Sequence, residues 1–355
     1  MKQPIQIFAG DVARQHIAEH GLKPEHIRVI MGASGGPKWF VLSNLDRYLV
    51  QNWLPSMQQN IDLVGSSIGA WRMSAYAGKN PLASINLLEH EYLHQRYADK
   101  PTIREISQSV TDLLDVFISE DDVDHHSTKK LNIVSARTKG LCQFEAKPIQ
   151  ALSLFAIAAG NLMSRRTLPS WFDRVVFHSE HAQLPVQKWD HFKTTHVQLS
   201  RENYRAALLS SGAIPVVIEG VKNPAGAPLG MYRDGGMVDY HFDLPIKPNN
   251  GIVLYPHFTP MLKPGWFDKS LPWRKVLANN YSHTIVVTPS REFISSLPFQ
   301  KIPDRKDFER LDNDSRIKYW LTVVDRNKEI AEAFDQWVNQ TDLLTSVEPI
   351  TNIAR

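Results

Sequence analysis

The chain has a single cysteine, Cys142, among 355 residues. One thiol closes no internal disulfide and supplies no cysteine-based zinc site, and a reducing compartment suits such a chain. Charge of one sign is also scarce. A formal net charge of +3, with no long stripe of Lys and Arg, argues against nucleic acid as a partner. Long apolar runs are missing too. The longest, Ala151 to Met163, has about thirteen residues, short of the roughly twenty that cross a bilayer, and is expected as a buried helix. Met1 to His20 alternates polar and apolar residues without a hydrophobic core, which speaks against a cleaved secretory signal. These absences point to a cytoplasmic location, with signal-independent secretion left open, and restrict membrane contact to the periphery. Neither an internal repeat nor a low-complexity segment is present.

What is there reads as an ordinary globular chain, 43% hydrophobic and 22% charged. Its length suits one large domain with an extension. Runs rich in β-branched residues alternate with stretches of helical spacing. Ile27 to Met31, Ile61 to Val64, Leu131 to Ser135, Arg174 to Phe177, His196 to Leu199, Gly251 to Tyr255 and Thr284 to Val287 read as strands. Helices are expected from about Pro37 to Asn52 and from Ser67 onward. The interleaving predicts an α/β fold of three layers, α/β/α, around a mostly parallel central sheet. Residues 80–130 look like a helical insertion. Beyond residue 303 the chain turns polar, with Arg316 to Asn339 as one long helix.

Two segments match G-x-S-x-G, Gly32-Ala33-Ser34-Gly35-Gly36 and Gly65-Ser66-Ser67-Ile68-Gly69, each between a strand and a helix. This is the context of a nucleophile elbow, where a serine on a tight turn needs small residues two positions either side. One such match arises by chance in roughly a tenth of chains of this composition. The bland reading is a glycine-rich βα turn with an incidental serine. The two turns differ. Gly35-Gly36-Pro37-Lys38 offers bare amides that approach an anion closely, and Pro37 suits a helix start. The second keeps small residues around Ser67 at a helix N-terminus, so Ser67 is expected as the nucleophile and the first loop as the oxyanion site. Far downstream, Asp234-Gly235-Gly236 is by itself a common tight turn.

Taken in order, Gly35-Gly36-Pro37-Lys38, Gly65-Ser66-Ser67-Ile68-Gly69 and Asp234-Gly235-Gly236 resemble the motifs of patatin-like phospholipases. Ala207 to Pro215 is similar to that family's small-residue helix end, and Asn132 to Phe144 to its central strand pair. The resemblance covers residues 27–244. It departs in the first loop, where Ser34 stands in place of a glycine and Met31-Gly32-Ala33 lacks a leading aspartate. The resemblance implies a patatin-like acyl hydrolase domain over residues 1–302 and a C-terminal helical extension over 303–355. It implies a serine esterase of lipid degradation with a Ser67–Asp234 dyad and an oxyanion hole from Gly35, Gly36, Lys38 and Ile68. Gly65, Gly69, Gly235 and Gly236 complete the motifs. The implied substrate is a phospholipid or other fatty-acyl ester, with no cofactor and no metal.

Other chemistries find some of their residues in this chain. A Ser-Asp-His triad of the α/β-hydrolase kind finds its chain order in Ser67, Asp234 and His257 or His283, though each histidine reads more readily as structural. An inert lipid-binding protein of the same fold would not need Ser67 and Asp234. A P-loop requires Gly-Lys-Ser/Thr, whereas this chain has Pro37-Lys38-Trp39. His125 and His126, near Asp121, Asp122 and Asp124, read as a solvated acidic helix before a metal site. Met261 to Lys275 mixes Trp266, Phe267 and Trp273 with Lys263, Lys269, Arg274 and Lys275, a composition equally suited to a membrane interface and to loop packing.

Overall fold

The structure, a computed structural model, describes residues 3–123 and 128–355. Among these, eleven strands form one sheet. They are β1 (Ile5–Ala9), β2 (Ile27–Gly32), β3 (Ile61–Ser66), β4 (Lys129–Thr138), β5 (Phe172–His178), β6 (Thr194–Gln198), β7 (Val221–Lys222), β8 (Met231–Arg233), β9 (Ile252–Pro256), β10 (Thr284–Pro289) and β11 (Val347–Pro349). Their order is β11-β1-β10-β9-β2-β3-β4-β5-β6, with β8 paired to β4 and β7 to β8. The centre, β10-β9-β2-β3-β4, is wholly parallel. Antiparallel pairs lie outside it, at β1/β10, β4/β5, β4/β8 and β7/β8. Val29, Ile30, Leu63, Val64, Ile133, Val253 and Leu254 are fully buried, as near-continuous apolar strands covered on both faces must be. The expected three-layer α/β/α architecture is what the chain adopts.

The connectivity sets where chemistry can occur. From β2 the chain steps to β3 and β4 in one direction, whereas β9 to β10 steps in the other. Right-handed crossovers therefore put these connections on opposite faces. The order reverses between β2 and β9, and open α/β sheets bind ligands beyond the carboxyl ends of the strands at such a reversal.

The helices are α1 (Asp11–His20), α2 (Ser43–Tyr48), α3 (Ile68–Ala77), α4 (Pro81–Leu93), α5 (Ile103–Phe117), α6 (Lys147–Met163), α7 (Tyr204–Gly212), α8 (Arg291–Ser296), α9 (Asp307–Arg310), α10 (Asn313–Arg326) and α11 (Lys328–Val338). α3 is the most deeply set, packed on β2, β3 and β4 with every residue from Ile68 to Tyr76 buried. Of the segment expected to be helical, residues 80–130, α4 and α5 occupy two stretches before β4 begins at Lys129, and α5 starts at a capping box of Thr102 and Glu105. No helix among the described residues is long and apolar enough to cross a membrane.

Several expectations need correction. Residues 36–53 are a relay of 3-10 helix, α2 and one π turn, not a single α-helix. Asn132 to Phe144 is not a strand pair, because it holds only one strand, β4, which ends at Thr138, and a 3-10 turn follows. The expected helix from Arg316 to Asn339 is two. Asn327 divides it, accepting the Asn44 N–H at 2.9 Å and donating to the Phe40 carbonyl at 2.6 Å. The run from Ala151 is helical as expected, but α6 is not buried: Phe155 is 73% and Met163 88% exposed. Residues 303–355 are continuous with the sheet, since β11 pairs with β1 and α11 packs on α2.

Candidate active site

β3 ends at Ser66, and Ser67 turns the chain into α3 with φ 54° and ψ −133°. A positive φ is strained for a serine, and such strain persists where the surroundings over-determine it. Here the surroundings are two glycines. A Cβ on Gly65 would sit 2.3 Å from the Gly69 carbonyl carbon, and one on Gly69 would sit 1.9 Å from the Gly32 oxygen. Only bare backbone lets the first turn of α3 lie this close to β2 and β3. The Ser67 N–H donates to Ser211 Oγ at 2.9 Å, and that hydroxyl donates to the Val134 carbonyl at 2.6 Å. α7 thereby locks the elbow to β4.

The Ser67 hydroxyl donates to Asp234 Oδ2 at 3.0 Å. Asp234 follows the short β8, and its Oδ1 accepts the Gly236 N–H at 2.7 Å. Its own N–H donates to the Ala213 carbonyl. Farther along the same turn, Asp239 pairs with Arg174, whose Nη2 donates at 2.9 Å, so a fully buried ion pair anchors the loop. Burial raises the Asp234 carboxyl above its ordinary range, opposed by the Gly236 amide, the Ser67 hydroxyl, Arg305 and Lys269. A carboxylate so raised is a better proton acceptor near neutrality than a solvated aspartate.

Ser34, the serine of the first glycine turn, is engaged otherwise. Ser66 Oγ donates to the Asp239 carbonyl at 2.6 Å, and Ser34 Oγ lies 2.8 Å from Ser66 Oγ. Its hydroxyl braces the two turns against each other. Gly35 and Gly36 border the same pocket as Ser67 and Asp234. Gly36 opens a 3-10 helix and Ile68 opens α3, so neither N–H has a carbonyl behind it in its own helix. Lys38 sits apart from the pocket lining, its Nζ 5.3 Å from the Phe258 ring centroid. Burial lowers its pKa, partly offset by Asp304.

The pocket, about 390 Å³ including its open mouth, is also bordered by Ile214, Pro215, Met237, Tyr240, Trp266, Lys269 and Arg305. A second, narrow space of about 240 Å³ including its open mouth shares Pro215 and Met237 and is bordered further by Thr138, Cys142, Gln150, Ser153, Leu154 and Arg233. Lys269 Nζ stands 4.0 Å from the Tyr240 ring centroid. Its local desolvation, Lys38 and Arg305 lower its pKa, an effect solvent tempers because the residue as a whole is exposed. Tyr240 Oη and Arg305 Nη1 are buried without a hydrogen-bond partner among the described residues. Sequence reasoning missed Ser211, Tyr240 and Arg305. Ser211 lay inside the small-residue segment already singled out, while Tyr240 and Arg305 belong to no local pattern.

Neither candidate histidine stands between Ser67 and Asp234. His257 is fully buried, its Nδ1 donates to the Thr259 carbonyl at 2.5 Å, and burial pushes its pKa down to about 3. His283 precedes β10, so it lies at the amino edge of the parallel strands, while Ser67 follows the carboxyl end of β3. Trp266 and Phe267 are half-buried, and Phe267 stacks on Phe172 at 6.0 Å, whereas Trp273 and Met261 are exposed. His125 and His126 fall outside the described residues. Among the described residues no group of three or more His, Cys, Asp or Glu side chains is placed to hold a metal ion. Compared with known proteins, the chain matches no family model and no curated protein at a significant level.

Proposed function

We propose that this protein is a lipid acyl hydrolase, an esterase of phospholipase A or lysophospholipase type, acting through Ser67 and Asp234. The observation that carries the reading is the direct 3.0 Å hydrogen bond from Ser67 Oγ to Asp234 Oδ2 at a strained strand-to-helix turn. In this mechanism Asp234 takes the hydroxyl proton as Ser67 Oγ attacks the acyl carbonyl. The Gly35, Gly36 and Ile68 amides receive the oxyanion that develops. Asp234 then returns the proton to the departing alkoxide, leaving an acyl-enzyme. Water deprotonated by Asp234 attacks that ester, the fatty acid leaves, and the proton returns to Ser67. No imidazole is required.

The surroundings favour an amphiphilic ester. Ile214, Pro215, Met237 and Trp266 give the first pocket an apolar side that suits the acyl part. Lys269 and Arg305 at the first pocket suit an anionic group near the ester, as in a phospholipid head. The resemblance to patatin-like phospholipases noted from the motifs agrees with this chemistry. Incubation with a diacyl phosphatidylglycerol in mixed micelles tests it. Free fatty acid and lysolipid are the expected products by mass spectrometry, absent with folded Ser67→Ala. Release at an equal rate by Ser67→Ala overturns the proposal.

A further inference from the structure

α6 is an inside-out helix. Its buried residues are Gln150, Ser153, Ile157 and Asn161, three of them polar. The exposed side carries Leu152, Phe155, Leu162 and Met163 with only alanines between them. At about 100° per residue these exposed positions share an arc of roughly 160° along some 18 Å of helix. A helix that only faced water would present the reverse pattern, and exposed apolar patches rimmed by polar residues mark interaction surfaces.

We infer that this face of α6 docks on an anionic lipid surface and brings the Ser67 pocket to it, an inference resting on the acyl-hydrolase reading. Charge complementarity names the occupant. From Ala146 to Phe172 there is no Asp or Glu, while exposed Lys147 lies at one end of the helix and exposed Arg166 at the other; Arg165 is already paired with Asp268. Glu145, just before it, is paired with Arg233 at 2.7 Å. Basic flanks beside an apolar face suit an interfacial helix seated among anionic head groups. A second copy fits poorly, because pairing this helix with itself, parallel or antiparallel, sets basic end against basic end.

The inward face ties the surface to the chemistry. Gln150 accepts the Val216 N–H at 2.9 Å, beside Pro215, which borders both cavities. Asn161 donates to Asp268 at 2.9 Å and Arg165 donates to it at 2.8 Å, fixing the turn that puts Trp266 at the pocket. Arg274 donates to the Asn161 carbonyl at 2.9 Å, holding exposed Trp273 next to the same end of the helix. The helix that docks is thus tied directly to segments that border the Ser67 pocket.

The test is co-sedimentation of the full-length protein with sucrose-loaded vesicles of equimolar phosphatidylcholine and phosphatidylglycerol. It is run in a Ser67→Ala background so that the lipid stays intact. Phe155→Asp with Leu162→Asp should partition at least tenfold more weakly, and in the active background should hydrolyse a soluble short-chain ester at the parent rate. The milder pair Phe155→Gln with Leu162→Gln serves if the charged pair misfolds by circular dichroism, with weakened partition again expected. Absence of parent binding, or equal binding by the variants, overturns the inference. So does a parent that is dimeric in solution, made monomeric by the substitutions, and indifferent to vesicles. Vesicle binding lost in the variants, with no ester hydrolysis by any form, supports the surface and removes the catalytic reading instead.

Discussion

Replacing Gly69 by alanine strikes the elbow without removing any functional group. A Cβ there would lie 1.9 Å from the Gly32 oxygen and 2.3 Å from its carbon, where ordinary contact begins at 3.4 Å. The shortfall is about 1.5 Å, and the neighbours are backbone of a central strand, which has no rotamer to change. α3 must therefore rise off β2, carrying Ser67 with it. Overpacking of this kind costs about 1–3 kcal/mol, and a reacting group misplaced by about 1 Å loses roughly 10²-fold in rate. Urea unfolding followed by tryptophan fluorescence should show the lower midpoint. Turnover of a short soluble ester, corrected for folded fraction, should fall at least about a hundredfold. Gly140→Ala is the control, because its Cβ meets nothing within 4 Å and only its φ of +57° resists substitution. It should cost about 1 kcal/mol and leave turnover alone. Wild-type stability and turnover in Gly69→Ala would refute the claim that close glycine packing positions Ser67.

Asp234→Asn should abolish turnover, by about 10³-fold or more, with circular dichroism unchanged. The wild-type acid limb should lie above the ordinary aspartate range, since burial raises this carboxyl. A folded-state pKa above the unfolded one means stability present at low pH and lost as pH rises through the folded value. Asp234→Asn should therefore melt above wild type at neutral pH and converge with it in acid; a lower melting temperature at neutral pH would contradict this. Asp46, fully buried, accepts from Trp39 at 2.6 Å, from Arg72 at 2.7 and 2.8 Å and from Tyr76 at 2.8 Å, joining the first glycine loop to α3. Asp46→Ala strands the Arg72 charge and should cost about 3–5 kcal/mol in chemical denaturation, and a loss below 1 kcal/mol would contradict this.

The parallel centre of the sheet was legible because both-face burial writes itself as β-branched runs, and the elbow because its sterics demand glycine at fixed spacing. The break at Asn327 was not, since the carbonyl and amide it satisfies belong to Phe40 and Asn44, remote in sequence. Hydropathy placed a helix at Ala151 to Met163 but not its orientation, which depends on Gln150, Ser153 and Asn161 finding polar partners inside. β11 has three residues, too short to carry a pattern, and Arg305 reaches the pocket from the segment expected as an extension. Ser67 and Asp234 lie 167 positions apart, so only their flanking glycines marked them, and the hydrogen bond joining them is a product of the fold.

The central claim is that Ser67 is a nucleophile activated by Asp234. A fluorophosphonate probe followed by intact-protein mass spectrometry and peptide mapping tests it most directly. Wild type should gain one adduct, on the peptide holding Ser67. Ser67→Ala should gain none, and folded Asp234→Asn should react far more slowly. An adduct on Ser34, or labelling that persists in Ser67→Ala, would contradict the account.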